Sequence, residues 1–490
     1  MGGGVVPDAR VRHPAIAQVV AALVRSPYVG ALGALAEGSR LGRRRKHPAW
    51  VPIAYGALAR HFKSANRLDG ELEHGLWEDL RAAATTADLE DPGTAPYRYP
   101  QHAYWRDLMV LDDERRGELL STFSTLALAH ARRTELLLPM GKGSLTHPSP
   151  ARTIYGDGTV VRPIYRGGPE PDEEQANGSI QERPATEGKE GERAGETQEE
   201  CPPRRQDSSA AVFHRHDGPI RGNDFVCFYA RGELPGTRIV LGLERVAAPG
   251  QEAEPAIPLL DRNVAIATSG IQAVAYDGAL KGVHIDRVMR RVGLVVVNKL
   301  AAAVRNGEET VMKRRALGSF EHKVGRKPCT HQLHIENGTV VDVALADDGS
   351  AVVVGSATRK QVKRVRRADG SYRFHLGISV PCRRGSFTLW LSPHATEVDE
   401  TLPEHLRLLP PDDPDFKRLY GLRNDSESFN SQFKRTLLVD RAASVGWERQ
   451  LFDVLGFAVL HNALTWAAAQ QLSVEQPVSL TVVRDARRSA

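Results

Sequence analysis

The sequence predicts an α/β protein: a sheet flanked by helices, preceded by a helical segment and interrupted by a β-rich one. Three observations carry that expectation. Residues 153–300 alternate runs of β-branched and apolar residues with stretches of helical spacing. Residues 306–403 are mostly short strand-like runs parted by Gly-containing turns, and the first 150 residues are apolar at helical spacing. With 490 residues, 41% of them hydrophobic, the chain has ample material for a core and length for about two to four domains.

Residues 1–150 read as a helical domain, with helices at 15–23, 28–35, 53–63 and 114–133. The last of these carries Leu119, Leu120, Phe123, Leu126 and Leu128 at helical spacing. The basic run Arg40-Leu-Gly-Arg-Arg-Arg-Lys46 beside these helices suits contact with DNA ends. It equally suits a packing or dimerisation domain with a solvated cationic patch.

The core is expected in 151–166 and 211–305. Strands fall at 153–162, 224–231 and 237–246, then a short helix at 258–267 with Pro258 in its first turn. The strand 271–276, the helix 280–292 and the strand 294–300 follow. Between the first two strands, 167–210 lacks an apolar run and is dense in Glu, Pro, Gly and Gln, the composition of a disordered acidic linker. A long loop costs little extra closure entropy, so it reads as a tolerated insertion. Residues 306–403 form the β-rich insertion, with strands near 340–345, 351–354, 372–380 and 386–391. The insertion includes the cationic stretch Arg359-Lys-Gln-Val-Lys-Arg-Val-Arg-Arg367. Residues 404–490 supply two helices, one spanning 420–434 and one at 448–472, that complete the core.

Charge and cysteine usage narrow the partners. Net charge is +5 despite the acidic linker, which favours a polyanionic partner. Four scattered cysteines point to a reducing compartment rather than a disulfide scaffold. No apolar run of transmembrane length is expected, and 16–35 is broken by Arg25 without a signal-peptide layout, so no membrane partner is expected.

The chemistry-bearing stretch is Tyr420-Gly-Leu-Arg423-Asn-Asp-Ser-Glu427-Ser-Phe-Asn-Ser-Gln-Phe-Lys434. At about 100° per residue, Tyr420, Arg423, Glu427 and Lys434 share an arc of roughly 60° on one helix. Leu419, Leu422, Phe429, Phe433 and Leu437 fall on the face a core would take. Arg423 and Glu427 alone could be an ordinary i,i+4 surface pair. Two aspartates lie upstream in strand contexts. Asp157 sits within a β-branched run, and Asp277 ends the apolar run Ile271-Gln-Ala-Val-Ala-Tyr. Singly, Asp157-Gly158 could be a hairpin turn and Asp277-Gly278 a helix cap. Asp286 is a rival acid, but inside a helix.

The spacing of Tyr420, Arg423, Glu427 and Lys434 resembles the YREK signature of the cut-and-paste insertion-sequence transposases, a branch of the DDE transposases with an RNase H-like catalytic core. The resemblance implies that Asp157, Asp277 and Glu427 bind two Mg²⁺ or Mn²⁺ ions for phosphodiester hydrolysis and strand transfer. It implies that Tyr420, Arg423 and Lys434 hold transposon-end DNA, and that the protein acts as a homodimer on double-stranded DNA. Rich Arg, Ala and Gly usage then suits a bacterial, cytoplasmic, nucleoid-associated protein. Two rivals share these residues: a decayed relative that only binds DNA, and an RNase H-like nuclease that cuts without joining.

Cys329-Thr-His331-Gln-Leu-His334, with Cys382 far off, lacks the paired arms of a closed zinc site. On a strand His334 points away from the face shared by Cys329 and His331. Two packed thiols, or plain core and surface residues, are expected instead.

Overall fold

The computed structural model describes residues 16–36, 46–94, 112–164, 207–215, 218–233, 237–300, 303–305, 308–310, 314–324, 327–348 and 350–475. The basic stretch 40–45 and the acidic linker up to residue 206 lie outside the described residues. The last four linker residues belong to the fold, because Asp207 is buried and accepts hydrogen bonds from the Gln450 side chain (3.1 Å) and the Gly446 amide (3.0 Å).

The amino-terminal helices are α1 (Ile16–Arg25), α2 (Pro27–Ala36), α3 (Trp50–Phe62), α4 (Ala65–Glu71), α5 (Trp77–Thr86) and α6 (Asp113–Arg133). Helix α6 is delimited by its own sequence. The Asp112 carboxylate accepts from the Arg115 amide at 2.9 Å, acids occupy the first turn and Arg132 and Arg133 the last, in line with the helix dipole.

One sheet is built from β1 (Thr153–Pro163), β2 (Ala211–Arg215), β3 (Gly218–Ala230), β4 (Ile239–Val246), β5 (Ala273–Ala275) and β6 (Val295–Val297), and the short late strand Arg441–Ala442 joins it parallel to the end of β1. Across it the order is β4-β3-β1-β5-β6, with β2 extending the hairpin of β3. Strands β4 and β1 each run antiparallel to β3 between them, whereas β5 runs parallel to β1 and β6 parallel to β5. Every residue of β5 and β6 is buried, which is why both read as unbroken Val/Ala runs without alternation. Helix α7 (Ala253–Ala267) joins β4 to β5, and α8 (Gly282–Arg287), running into a π turn over Val288–Val292, joins β5 to β6. Helix α7 starts five residues before the expected position. Pro258 therefore lies in its second turn and leaves the Glu254 carbonyl without its helical donor.

Helices α6 and α7 meet over β4. A Cβ at Gly242 would lie 2.9 Å from both Leu259 and Ser124, so any larger residue there would have to push those side chains aside.

Between β6 and the carboxyl-terminal helices the chain is almost all strand. The strands β7 (Ala303–Arg305) and β8 (Glu308–Thr310) pair with each other. A four-stranded antiparallel sheet follows from β9 (Arg315–Val324), β10 (Lys327–Glu336), β11 (Thr339–Leu345) and β12 (Ala351–Ser356). A three-stranded one is formed by β13 (Thr358–Arg366), β14 (Tyr372–Val380) and β15 (Phe387–Leu391). The cationic stretch is strand β13, and part of its charge is spent internally. Arg359 forms ion pairs with Asp413 (2.9 Å) and Asp415 (2.7 Å), and Arg364 donates to the Gly293 carbonyl. Lys360, Lys363, Arg366 and Arg367 remain exposed.

The chain closes with α9 (Leu402–His405), α10 (Pro414–Arg423), α11 (Asp425–Lys434), β16 (Arg441–Ala442) and α12 (Trp447–Glu475). The single helix expected over 420–434 is two. At Asn424 the backbone tightens, its amide reaching the Gly421 carbonyl at 3.3 Å. The junction is pinned by tertiary contacts. The Ser426 hydroxyl donates to the Arg423 carbonyl, Arg238 donates to the Asp425 carbonyl, and Arg231 pairs with the Asp425 carboxylate. The expected core face nonetheless largely holds, since Leu419, Phe429, Phe433 and Leu437 are buried and Leu422 is half-buried.

Helix α12 is the core's spine. Its Asn462 side chain bonds both the amide and the carbonyl of Val240 at 2.9 Å, closing the free edge of β4. Trp447–Gln470 is long and apolar enough to cross a bilayer, contrary to the sequence expectation, but 67% of its most apolar window is buried inside the fold.

Candidate active site

Asp157 lies in mid-strand, not in a turn. On β1 side chains alternate between faces, so Gly156 and Gly158 face opposite to Asp157. A Cβ on Gly156 would lie 2.3 Å from the Phe228 ring, and one on Gly158 would lie 2.6 Å from Glu252 Oε1. The glycines flanking the acid are there because a ring and a carboxylate press against that face of the strand.

Strand pairing brings the second acid alongside. Tyr155 pairs with Ala275 as the last pair of the parallel β1–β5 ladder, so Asp157 and Asp277 each follow that pair by two residues, and both act on Arg423. Asp277 Oδ1 accepts from the Ala279 amide at 2.9 Å, which fixes the turn leaving β5. The two negative charges act on the same neighbours: both favour the charged form of Arg423 and both oppose ionisation of Tyr276 and Tyr420.

The third acid arrives from α11 through an arginine. Arg423 Nη1 lies 3.2 Å from Asp157 Oδ1, and its Nη2 lies 4.0 Å from Glu427 Oε1. The other Asp157 oxygen accepts from Asn430 Nδ2 at 3.1 Å. Arg423 and Asp157 are only 11% and 13% exposed, whereas Glu427 is 69% exposed. Burial works against the Arg423 charge, but Asp157, Tyr420 and Asp277 more than offset it, so its pKa sits above the ordinary value. Tyr420 packs under the same guanidinium, its ring 5.2 Å away, and stacks on Phe416 at 5.1 Å. Burial raises the Tyr420 pKa. Lys434 closes α11, half-buried, about two turns beyond Glu427.

Asp157, Asp277, Tyr420 and Glu427 are thus gathered around Arg423, with Glu427 on its solvent side. Asp286 does not join them: it is held in α8 by His394 (2.6 Å) and Arg290 (2.7 Å). Three contributors escaped the sequence reading. Asn430 lies three residues after Glu427, on the same helical face, a spacing that could have exposed it. Lys299, just past β6, places its ammonium 5.6 Å from the Tyr420 ring centre. Glu252 is buried before α7 and accepts from the Tyr276 hydroxyl at 2.6 Å, with no local signal to mark it.

The donor set of Asp157, Asp277 and Glu427 is all hard oxygen and fits Mg²⁺ or Mn²⁺. Glu427 has the solvent access to turn toward the two aspartates.

The cysteine–histidine group lies elsewhere. Cys329 and Cys382 do pack their thiols, 3.6 Å apart, as expected. His334 stays outside the group, but His322, which the sequence reading overlooked, joins His331 and Cys382 with ligand atoms within 4.8 Å of one another.

A comparison with protein-family models finds no match to this chain, and a comparison with curated proteins finds none similar to it.

Proposed function

We propose that the protein is a DDE-type DNA transposase of the YREK branch, acting on the double-stranded ends of an insertion sequence. Its core would be RNase H-like, interrupted between β6 and α10 by a β-rich insertion. The observation that carries the reading is the convergence of Asp157, Asp277 and Glu427 around Arg423, from two adjacent parallel strands and a late helix. A strand order of three antiparallel members followed by two parallel ones supports the same reading.

Asp157, Asp277 and Glu427 are the residues that would hold two Mg²⁺ or Mn²⁺ ions. Such a pair, when bound, supplies an activated water or 3′-hydroxyl and charge stabilisation for in-line displacement at phosphorus. The chain's own part is positional. Asn430 and Arg423 orient Asp157 from two sides, and exposed Glu427 is free to swing inward. Tyr420, Arg423 and Lys434, with Lys299 beside them, would contact end phosphates. A homodimer on DNA, in the bacterial cytoplasm and nucleoid, belongs to the same proposal.

The test is plasmid nicking with Mg²⁺ or Mn²⁺, followed by strand transfer of labelled ends. Wild type should nick and join, and Asp157→Ala and Glu427→Ala should do neither. Glu427→Ala should keep its stability to within about 0.5 kcal/mol, because its side chain is mostly in solvent. Metal-independent DNA binding without nicking would instead mark a binding protein, and nicking without joining a nuclease.

A further inference from the structure

The β-rich segment brings His322, His331 and Cys382 together, with Cys329 adjoining them through Cys382, and strand register sets the arrangement. His322 on β9 pairs directly across from Cys329 on β10, so both lie on one face. His331 lies two residues along β10 from Cys329, on the same face. Cys382 comes from the turn between β14 and β15, in the other small sheet. We propose that His322, Cys329, His331 and Cys382 form a closed tetrahedral zinc site that clips the β9–β12 sheet to the β13–β15 sheet.

Two buried histidine nitrogens point to a missing partner. His331 is 5% exposed, and its Nδ1 is bonded to Asp342 Oδ2 at 2.6 Å, which leaves Nε2 as its ligand atom. His331 Nε2 and His322 Nδ1 are both buried with no nitrogen or oxygen partner among the described residues, and both rings face the Cys382 thiol, whose single proton can serve only one of them. A buried ring nitrogen left so is costly, and two beside a thiol demand an explanation. A carboxylate on the far nitrogen is the usual way a zinc-ligating histidine is oriented and made more basic.

The sulfur geometry agrees. Two thiolates at about 2.3 Å from a tetrahedral zinc stand roughly 3.8 Å apart, and Cys329 Sγ and Cys382 Sγ stand 3.6 Å apart. The Arg384 amide donates to Cys382 Sγ at 3.4 Å, and the Gly385 amide to the Cys382 carbonyl at 3.0 Å, holding the turn in a shape that supports a thiolate. Phe387 covers the site, its ring 4.5 Å from His322 and 5.0 Å from His331, so water is kept off one side. With four protein ligands there is no open position, which makes the site structural and independent of the carboxylate site.

The test uses the full-length chain purified under reducing conditions without chelator. One zinc per chain is expected by elemental analysis. Replacement by Co²⁺ should give the intense visible bands of a tetrahedral, thiolate-ligated ion. Cys382→Ser should abolish those bands. Asp342→Asn keeps all four ligands and should weaken zinc affinity about 10–100-fold in chelator competition. Substoichiometric zinc with no tetrahedral Co²⁺ spectrum from the folded wild type overturns the proposal. So does a Cys329–Cys382 disulfide in the reduced preparation, and so does an unchanged affinity in Asp342→Asn.

Discussion

Arg423 donates to Asp157 at 3.2 Å across a largely buried contact, so the first acid of the cluster is neutralised by the last residue of α10, just before the helix that carries the third. Arg423→Ala leaves that carboxylate without its counter-ion. It should lower unfolding free energy by about 3 kcal/mol, a cost typical of breaking a buried pair. Arg423→Ala with Asp157→Asn together should cost less than the sum of the two, by about 0.5–3 kcal/mol in a double-mutant cycle of urea melts. Millimolar Mg²⁺ should raise the melting temperature of Arg423→Ala more than that of wild type, because the guanidinium no longer competes for Asp157.

Two glycines near the cluster should respond in opposite directions to alanine. At Gly158 a methyl would sit 2.6 Å from Glu252 Oε1, displacing the carboxylate that holds the Tyr276 hydroxyl. Gly158→Ala should destabilise by about 1–3 kcal/mol. At Gly421, exposed within α10, a methyl meets nothing within 4 Å. Gly421→Ala should stabilise by about 0.5–1 kcal/mol through helix propensity. Chemical denaturation reads both.

Two interior histidines predict an acid-sensitive fold. Burial, reinforced by nearby arginines, pushes His130 and His461 down to about 4. His130 Nδ1 contacts the Tyr28 hydroxyl at 3.0 Å, and His461 Nε2 contacts the Arg238 carbonyl at 3.0 Å. In the unfolded chain each would titrate near about 6.5. The unfolded state therefore binds more protons between those values. The stability contributed by the neutral rings is complete above about pH 6.5 and is lost as pH falls through about 4. Urea midpoints should drop over that window, and His130→Asn should flatten the slope.

The exposed cations of β13 give a salt-dependence test. If Lys360, Lys363, Arg366 and Arg367 each contact a phosphate, replacing all four by Ala should reduce the slope of log affinity against log salt by about 3–4. Arg359→Ala should instead cost stability, since that side chain is 6% exposed and paired with Asp413 and Asp415. Fluorescence anisotropy on duplex DNA across a salt series separates the two.

What the sequence disclosed follows a physical line. Strands β5 and β6 were legible because a doubly buried parallel strand must be apolar at every position, and Asp277 stood out as the first break in such a run. The buried side of α10 and α11 was legible from helical periodicity alone. The break at Asn424 was not, because Arg231 and Arg238 hold it from outside the local sequence. Strand β9 escaped because Gly-Ser-Phe-Glu-His-Lys carries neither alternation nor β-branching. His322 escaped with it, since only the register opposite Cys329 makes it a neighbour.

Helix α12 packs directly on the backbone of α3, far away in sequence. Gly456 of α12 lies so near Gly56 of α3 that a Cβ there would come within 2.7 Å of the Gly56 carbonyl. The surface of α3 is therefore covered only once α12 has been made. A chain stopped before α12 should yield an aggregating fragment rather than a smaller working unit.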